Sequence, residues 1–436
     1  MLKLCVPLST AVLLAACSSS SAMDAGGCPA ATGTGTSHTT DVGVDTTWTA
    51  ADSPHVITGG IKVAATARLS IEPCATVKLD DNAHLEVDGK LVAEGTAASP
   101  IMFVAKDSTK PWGYLQVVAP GTISLANATL MGGGNDPMVY GTLEATGVAT
   151  MAAQPVLKVV NVTVVNSAAY GVSLRSGGAF TADSSGLEIR GSGKATMRIN
   201  PRLATNIPMG NYINNGLDEI VVETEPMGDV TLEDVTFHNL GVPYQIGGEQ
   251  TVGTMVVGGG ATKATLTLEA GVTLKFLKAN NAGLQIDKGT AATAATGVLV
   301  AQGSAAKPVV FTSAALTPAK GDWVGLSFGN KPDTNDKLDH VEVHYAGGAS
   351  HQMGFHCTSA GPSTNEDAAI TFYGPPPATA VTNSTITDSA GAGINLAYSG
   401  AAVDLSTGNT FTAITSCNVT TPKDANGMCS GAPACP

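Results

Sequence analysis

The strongest constraint on the fold of this chain is a stretch that occurs twice. Leu69-Ser-Ile-Glu-Pro-Cys-Ala-Thr-Val-Lys-Leu79, then Leu91-Val-Ala-Glu-Gly-Thr-Ala-Ala-Ser-Pro-Ile-Met-Phe103, then Trp112, are matched in order by Leu266-Thr-Leu-Glu-Ala-Gly-Val-Thr-Leu-Lys-Phe276, Leu299-Val-Ala-Gln-Gly-Ser-Ala-Ala-Lys-Pro-Val-Val-Phe311 and Trp323. Within each copy, apolar and polar residues alternate, which is the period of a strand buried on one face. The apolar doublets also return at a longer interval. Ile61/Val63 recur at Leu85/Val87 after 24 residues, Leu69/Ile71 at Leu91/Ala93 after 22, and Val77/Leu79 at Ile101/Phe103 after 24. Strands that return at this spacing belong to a coil of stacked rungs.

The match extends over most of the chain. Asp45-Thr-Thr-Trp48 corresponds to Asp234-Val-Thr-Phe237 at an offset of 189, which grows to 197 at Leu69/Leu266, 211 at Trp112/Trp323 and 222 at Asn161/Asn383. The growth places the insertions in the second half, chiefly at Lys278 to Ala295 and Cys357 to Pro377. Between the copies, Asn211 to Glu223 keeps the alternation, so one continuous stack is expected. About 370 residues at roughly 23 per coil predict about 16 rungs and a stack roughly 75 to 80 Å long. The expected divisions are a leader at 1–16, a tether at 17–44, the two halves at 45–233 and 234–416, and a terminal cap at 417–436, where the pattern fades and cysteines gather.

The 51 glycines and a charged content of only 13% suit short strands joined by tight turns. The formal charge of −13 argues against nucleic acid and against anionic polysaccharide as bulk electrostatic partners. Neutral glycans, cations and proteins stay open as partners.

Residues 1–16 carry Lys3 and an apolar core, the grammar of a secretory leader. The following Leu14-Ala-Ala-Cys17 resembles the lipobox of bacterial lipoproteins, which implies acylation of Cys17 and attachment to a membrane. The resemblance further implies the outer membrane, because Ser18 and not aspartate follows the cysteine. The Ser-, Ala-, Gly- and Thr-rich stretch beyond it reads as a flexible spacer.

The repeated motifs resemble those of right-handed parallel β-helix proteins of the pectate-lyase-like kind, in particular bacterial surface lipoproteins with the order L-x-I-x-P-G, L-V-A-x-G-x-x-x-x-P-I-x-F and W-x-G. The resemblance implies an all-β, right-handed parallel β-helix solenoid built by internal duplication. Two positions depart from it: Cys74 stands for the glycine in the first copy and Ala270 for the proline in the second. Pro73 and Gly271 each keep half of that turn.

Six cysteines follow Cys17, an even number that favours disulfides in an exported chain. Cys28 with Cys74 and Cys417 with Cys429 are the favoured pairs, leaving Cys357 with Cys435. If Val341, Val343 and Tyr345 point inward, then His340, Glu342 and His344 project outward, and with His351 and His356 they are candidate zinc ligands. A solvated strand face is the competing explanation. Asp333, Asn335, Asp336 and Asp339 are candidate calcium ligands, although no calcium-loop motif frames them. Trp112 and Trp323, at matched positions, are read as packing residues in preference to sugar platforms.

Catalysis finds little support in the motifs. Glycosidases need two carboxylates at a defined separation, and polysaccharide lyases of this fold combine acidic calcium ligands with an arginine or lysine base. Six basic residues lie between Leu115 and Asn206, and Arg198 and Arg202 flank Pro201 at a spacing that does not fit a lyase motif. The leading expectation is a non-catalytic surface protein that binds a glycan, matrix component or protein partner along its flank. The alternative is a polysaccharide lyase or glycoside hydrolase.

Overall fold

The computed structural model describes residues 27–28, 35–135, 141–148, 152–223, 229–231, 233–248, 253–260, 262–278, 282–287, 295–349, 367–422 and 435–436. A single sheet of thirteen parallel strands runs through both halves, from Gly60–Val63 at one end to Thr410–Thr412 at the other. One apolar cluster lies along its inner face and holds residues from Val42 to Leu405. The two halves therefore form the continuous stack that the alternation in Asn211 to Glu223 requires.

Each coil of the first half leaves the long sheet, makes two further strands and returns. Gly60–Val63 is followed by Arg68–Ile71 and Thr76–Leu79 before His84–Val87 pairs with Gly60–Val63. The two outlying rows begin separately and fuse in the longer strands Thr122–Met131 and Gln154–Val165. Those strands bend at Asn127 and Asn161, whose φ values of 43° and 53° turn the corner. Asparagine tolerates this left-handed conformation better than most residues. In the second half the outlying rows stay apart, as a six-stranded and a five-stranded sheet.

The two copies are not placed alike around the stack. Thr76–Leu79 lies off the long sheet, whereas its counterpart Thr273–Phe276 lies on it. Leu115–Val118, after Trp112, is in the long sheet, but Leu326–Phe328, after Trp323, is in the six-stranded one. The second copy is thus displaced by one face. The intervening chain contains a 3-10 helix, Pro201–Asn206, and a register shift where Ala195 pairs with Leu217 but Met197 pairs with Ile220.

The ladders follow the sequence intervals in part. Ile61 faces Leu85 and Leu69 faces Leu91, as their spacing demands. Val77, however, faces Phe103 and not Ile101, two residues beyond the expected register. A tight turn closed by reciprocal backbone bonds between Thr96 and Ser99 displaces the strand by one pleat repeat. The expected 16 rungs also overcount. Coil length varies along the stack, from the 23 residues between the paired Met197 and Ile220 to the 43 between the paired Glu342 and Thr385.

The body begins earlier than Asp45, inside the stretch read as tether. Thr36–His38 pairs in parallel with His55–Ile57, so backbone bonding recruits residues that have little apolar surface to bury. At the other end the stack outlasts Ser416. Gly393 donates to the Cys417 carbonyl, and Ile394 bridges Val419.

Candidate functional site

The acidic and histidine-rich segment is built mainly as a set of corners. His340 lies between the strands Lys337–Asp339 and Val341–His344 with a φ of 52°, the place that Asn127 occupies in the first copy. It does not stand in line with Glu342 and His344, because the backbone turns there, and its Nδ1 lies 3.1 Å from Asp339 Oδ1. Glu342 and His344 do come together, with His344 Nε2 3.1 Å from Glu342 Oε2. Val341 and Val343 point into the core as expected, but Tyr345 is half-buried at a second corner with a φ of 62°. His351 and His356 lie outside the described residues. Among the described residues no three acidic, histidine or cysteine side chains are grouped to hold a metal.

The four oxygen candidates for calcium are engaged in turns. Asp336 Oδ1 accepts the backbone N–H of Leu299 at 2.9 Å and its Oδ2 that of Asp333 at 2.7 Å. Burial pushes the Asp336 carboxyl up to about 7, with Asp333 and Asp287 adding like charge. Asp333 pairs with Lys263 and accepts from Asn335 N at 2.9 Å. Burial alone would raise its pKa, and those partners more than offset it, holding the carboxyl below its ordinary value. Asp339 accepts from Thr382 Oγ1 and Asn383 Nδ2 at 3.0 and 2.9 Å. Each carboxylate fixes a corner of the coil.

Cys28 is bonded to Cys74, as expected, but Cys417 is bonded to Cys435 and not to Cys429. The wider loop is favoured by position, since Cys435 returns to the last coil within a Cα separation of 5.3 Å. This also removes the pairing of Cys435 with Cys357; Cys17, Cys357 and Cys429 lie outside the described residues. Cys74 and Gly271 hold matched turns at φ values of 71° and 87°, so the turn survives in both copies. Trp112 and Trp323 are buried, and their indole N–H groups donate to the carbonyls of Met131 and His344 at 2.8 and 2.7 Å. They pack; neither offers a face to a sugar.

The most built surface lies on the outer side of the long sheet. Register aligns Lys62, Glu86, Gln116, Glu144, Ser173 and Arg198 in one column across successive strands, and beyond them Val221, Gln245 and Lys275. Arg175 donates to the buried Glu144 at 3.2 Å, and Arg198 pairs with Glu223. Val221 is the apolar break in this column. There, where the first copy meets the second, a cavity of about 430 Å³ opens. Leu217 and Val221 line it from the first copy, with Lys194 over the Tyr170 ring at 5.6 Å, and Gln245 and Leu277 line it from the second.

Local backbone irregularity creates this arrangement. The register shift between Ala195 and Met197 is a bulge in Leu217–Val222, and a bulge re-aims side chains. Tyr170, Ala195 and Val221 form an apolar cluster separate from the main core. Glu219, between the lining residues Leu217 and Val221, is buried. One of its carboxylate oxygens pairs with Lys275, while the other has no hydrogen-bond partner among the described residues. A buried carboxylate oxygen left so is costly unless a donor reaches it. Absence of a side chain at Gly248 matters too, since a Cβ there would come within 2.3 Å of Glu223 Oε1. Sequence reasoning missed this site. Its one signal was Ile220-Val221-Val222, an apolar run that breaks strand alternation by placing a valine outward.

Residues 229–404, nearly the whole second copy, match a family model described as a pectate-lyase like beta helix domain. No curated protein and no solved structure matches the chain. Taken with parallel strands stacked in register along the length of the described body, the match makes this chain a parallel β-helix protein.

Proposed function

We propose that this protein is a lipid-anchored, non-catalytic β-helix of the bacterial outer membrane that binds a glycan at the seam between its two copies. The observation that carries the reading is the cavity at Val221. Its floor is apolar, and Lys194, Gln245 and Glu219 stand at or beside it with donors and acceptors. A sugar ring presents the same combination, an apolar face with a polar rim, and ligand sites favour such junctions between structural units. The acidic chain as a whole favours neutral over polyanionic glycans.

Charge placement favours binding over cleavage. Glu144 in the column and Glu223 beside it are each held by an arginine, an arrangement that engages both carboxylates in shaping a surface. The test is a glycan array with the soluble Cys17→Ala chain, run beside the Val221→Asp variant and with the medium assayed for released products. Binding that falls at least tenfold in Val221→Asp supports the reading. Product release that disappears on changing an acidic residue would replace it with a lyase or hydrolase.

A further inference from the structure

We propose that His38 and His55 form an acid-sensitive latch that keeps the edge strand, Thr36–His38, closed over its neighbour His55–Ile57. His38 Nε2 and His55 Nδ1 lie 3.0 Å apart, and His55 Nε2 lies 2.8 Å from the Thr49 carbonyl. A carbonyl only accepts, so His55 Nε2 carries a proton and donates. In the neutral pair His55 Nδ1 is then the acceptor and His38 Nε2 the donor. Trp48 stacks on both rings, at centroid distances of 4.1 Å to His38 and 5.1 Å to His55. Besides the two imidazoles, the charged group acting on the pair is Asp52, beside His55.

The number of protons decides whether the latch holds. One added proton is tolerated: His55 becomes the donor through Nδ1, and His38 shifts its own proton to the other ring nitrogen. A second proton leaves two N–H groups facing each other with two positive charges and no acceptor. Burial, and then the neighbouring His55, lower the His38 pKa to about 4. Burial also lowers that of His55, against the opposing pull of the Thr49 carbonyl and Asp52. An opened strand takes up protons near 6.5 while the closed pair resists them, so closure is fully stable above about 6.5 and is lost as pH falls toward 4. The Cys28–Cys74 bond would keep the released segment attached, so that opening uncovers the edge of His55–Ile57 without freeing the chain.

Hydrogen exchange of peptides spanning Thr36 to Ile57, corrected for the intrinsic pH effect, tests the latch in the full soluble chain. Protection is expected to fall at least tenfold between pH 7 and 4, while the long sheet stays protected. His38→Gln is expected to reduce the fall to the part that the burial of His55 alone contributes, because a glutamine amide turns to donate to neutral His55 or accept from its cation. Unchanged protection in the parent, or an unaltered fall in His38→Gln, would overturn the proposal. Should that variant not fold, the parent's imidazole NMR titration decides: two rings titrating independently near 6.5 would rule the latch out.

Discussion

Asp45 and Asp234, 189 residues apart, make the same bond: Asp45 Oδ1 accepts the backbone N–H of Arg68 at 2.9 Å, and Asp234 Oδ1 that of Thr265 at 2.8 Å. Each ties the start of one coil's strand to the coil before it. Replacing either by Ala is expected to lower stability by on the order of 1 kcal/mol, with nearly additive effects, as read from urea midpoints.

The two matched tryptophans should matter more. Trp323 is buried and stacks on Phe276 at 4.1 Å, and Trp112 is equally enclosed. Trp112→Ala and Trp323→Ala should each cost about 3 to 5 kcal/mol. Glycan affinity of the folded fraction should not change, which a binding titration below the unfolding midpoint would verify.

His340→Asn is expected to be neutral or to stabilise by roughly 0.5 kcal/mol, because asparagine bears the left-handed corner better than histidine does. Zinc titrations extend the test. Any zinc affinity of the parent should survive His340→Asn and be lost in His344→Ala, since His344 and Glu342 are the pair that the strand brings together.

Asp336 gives a pH dependence opposite in sign to that of the histidine latch. An unfolded aspartate loses its proton near 3.8, whereas the buried one keeps it to about 7. The folded chain therefore holds the extra proton between those values, and this group's contribution to stability declines as pH rises through that window. Exchange at the Leu299 amide, which donates to Asp336, should quicken from pH 4 to 7 beyond the intrinsic increase, and Asp336→Asn should flatten the trend.

Cys17→Ala is expected to move the protein from the membrane fraction to the soluble one, as one-step fractionation and immunoblotting would report. Retention on the membrane would remove the lipid-anchor reading and leave the glycan site untouched.

The coil was legible in the sequence because stacking writes itself as repetition: Leu69 faces Leu91 and Ile61 faces Leu85 at the intervals that the apolar doublets mark. Corners were less legible. His340 and Tyr345 look like continuations of a strand until their backbone angles are known, since period-2 alternation carries no mark for a left-handed turn by a residue other than glycine. The seam cavity was hidden for a related reason. It depends on a bulge at Leu217–Val222, which shifts which residues face outward without changing the composition of the strand. The Cys417–Cys435 pair depends on where a tail returns in space, and spacing along the chain leaves that open.

The one-face displacement of the second copy gives the duplication a geometrical meaning. Had the copies been in phase, every inherited feature would lie above its twin, and the protein would offer one side of a prism to its surroundings twice. Because Thr76–Leu79 and Thr273–Phe276 belong to different walls, a feature shared by both copies looks in two directions, while each wall is a composite of unlike ancestry. The long sheet is such a composite, so the cleft at Val221 and Gln245 has no twin to be found by comparing the copies. It arose from their juxtaposition, and selection could tune it without disturbing an equivalent elsewhere.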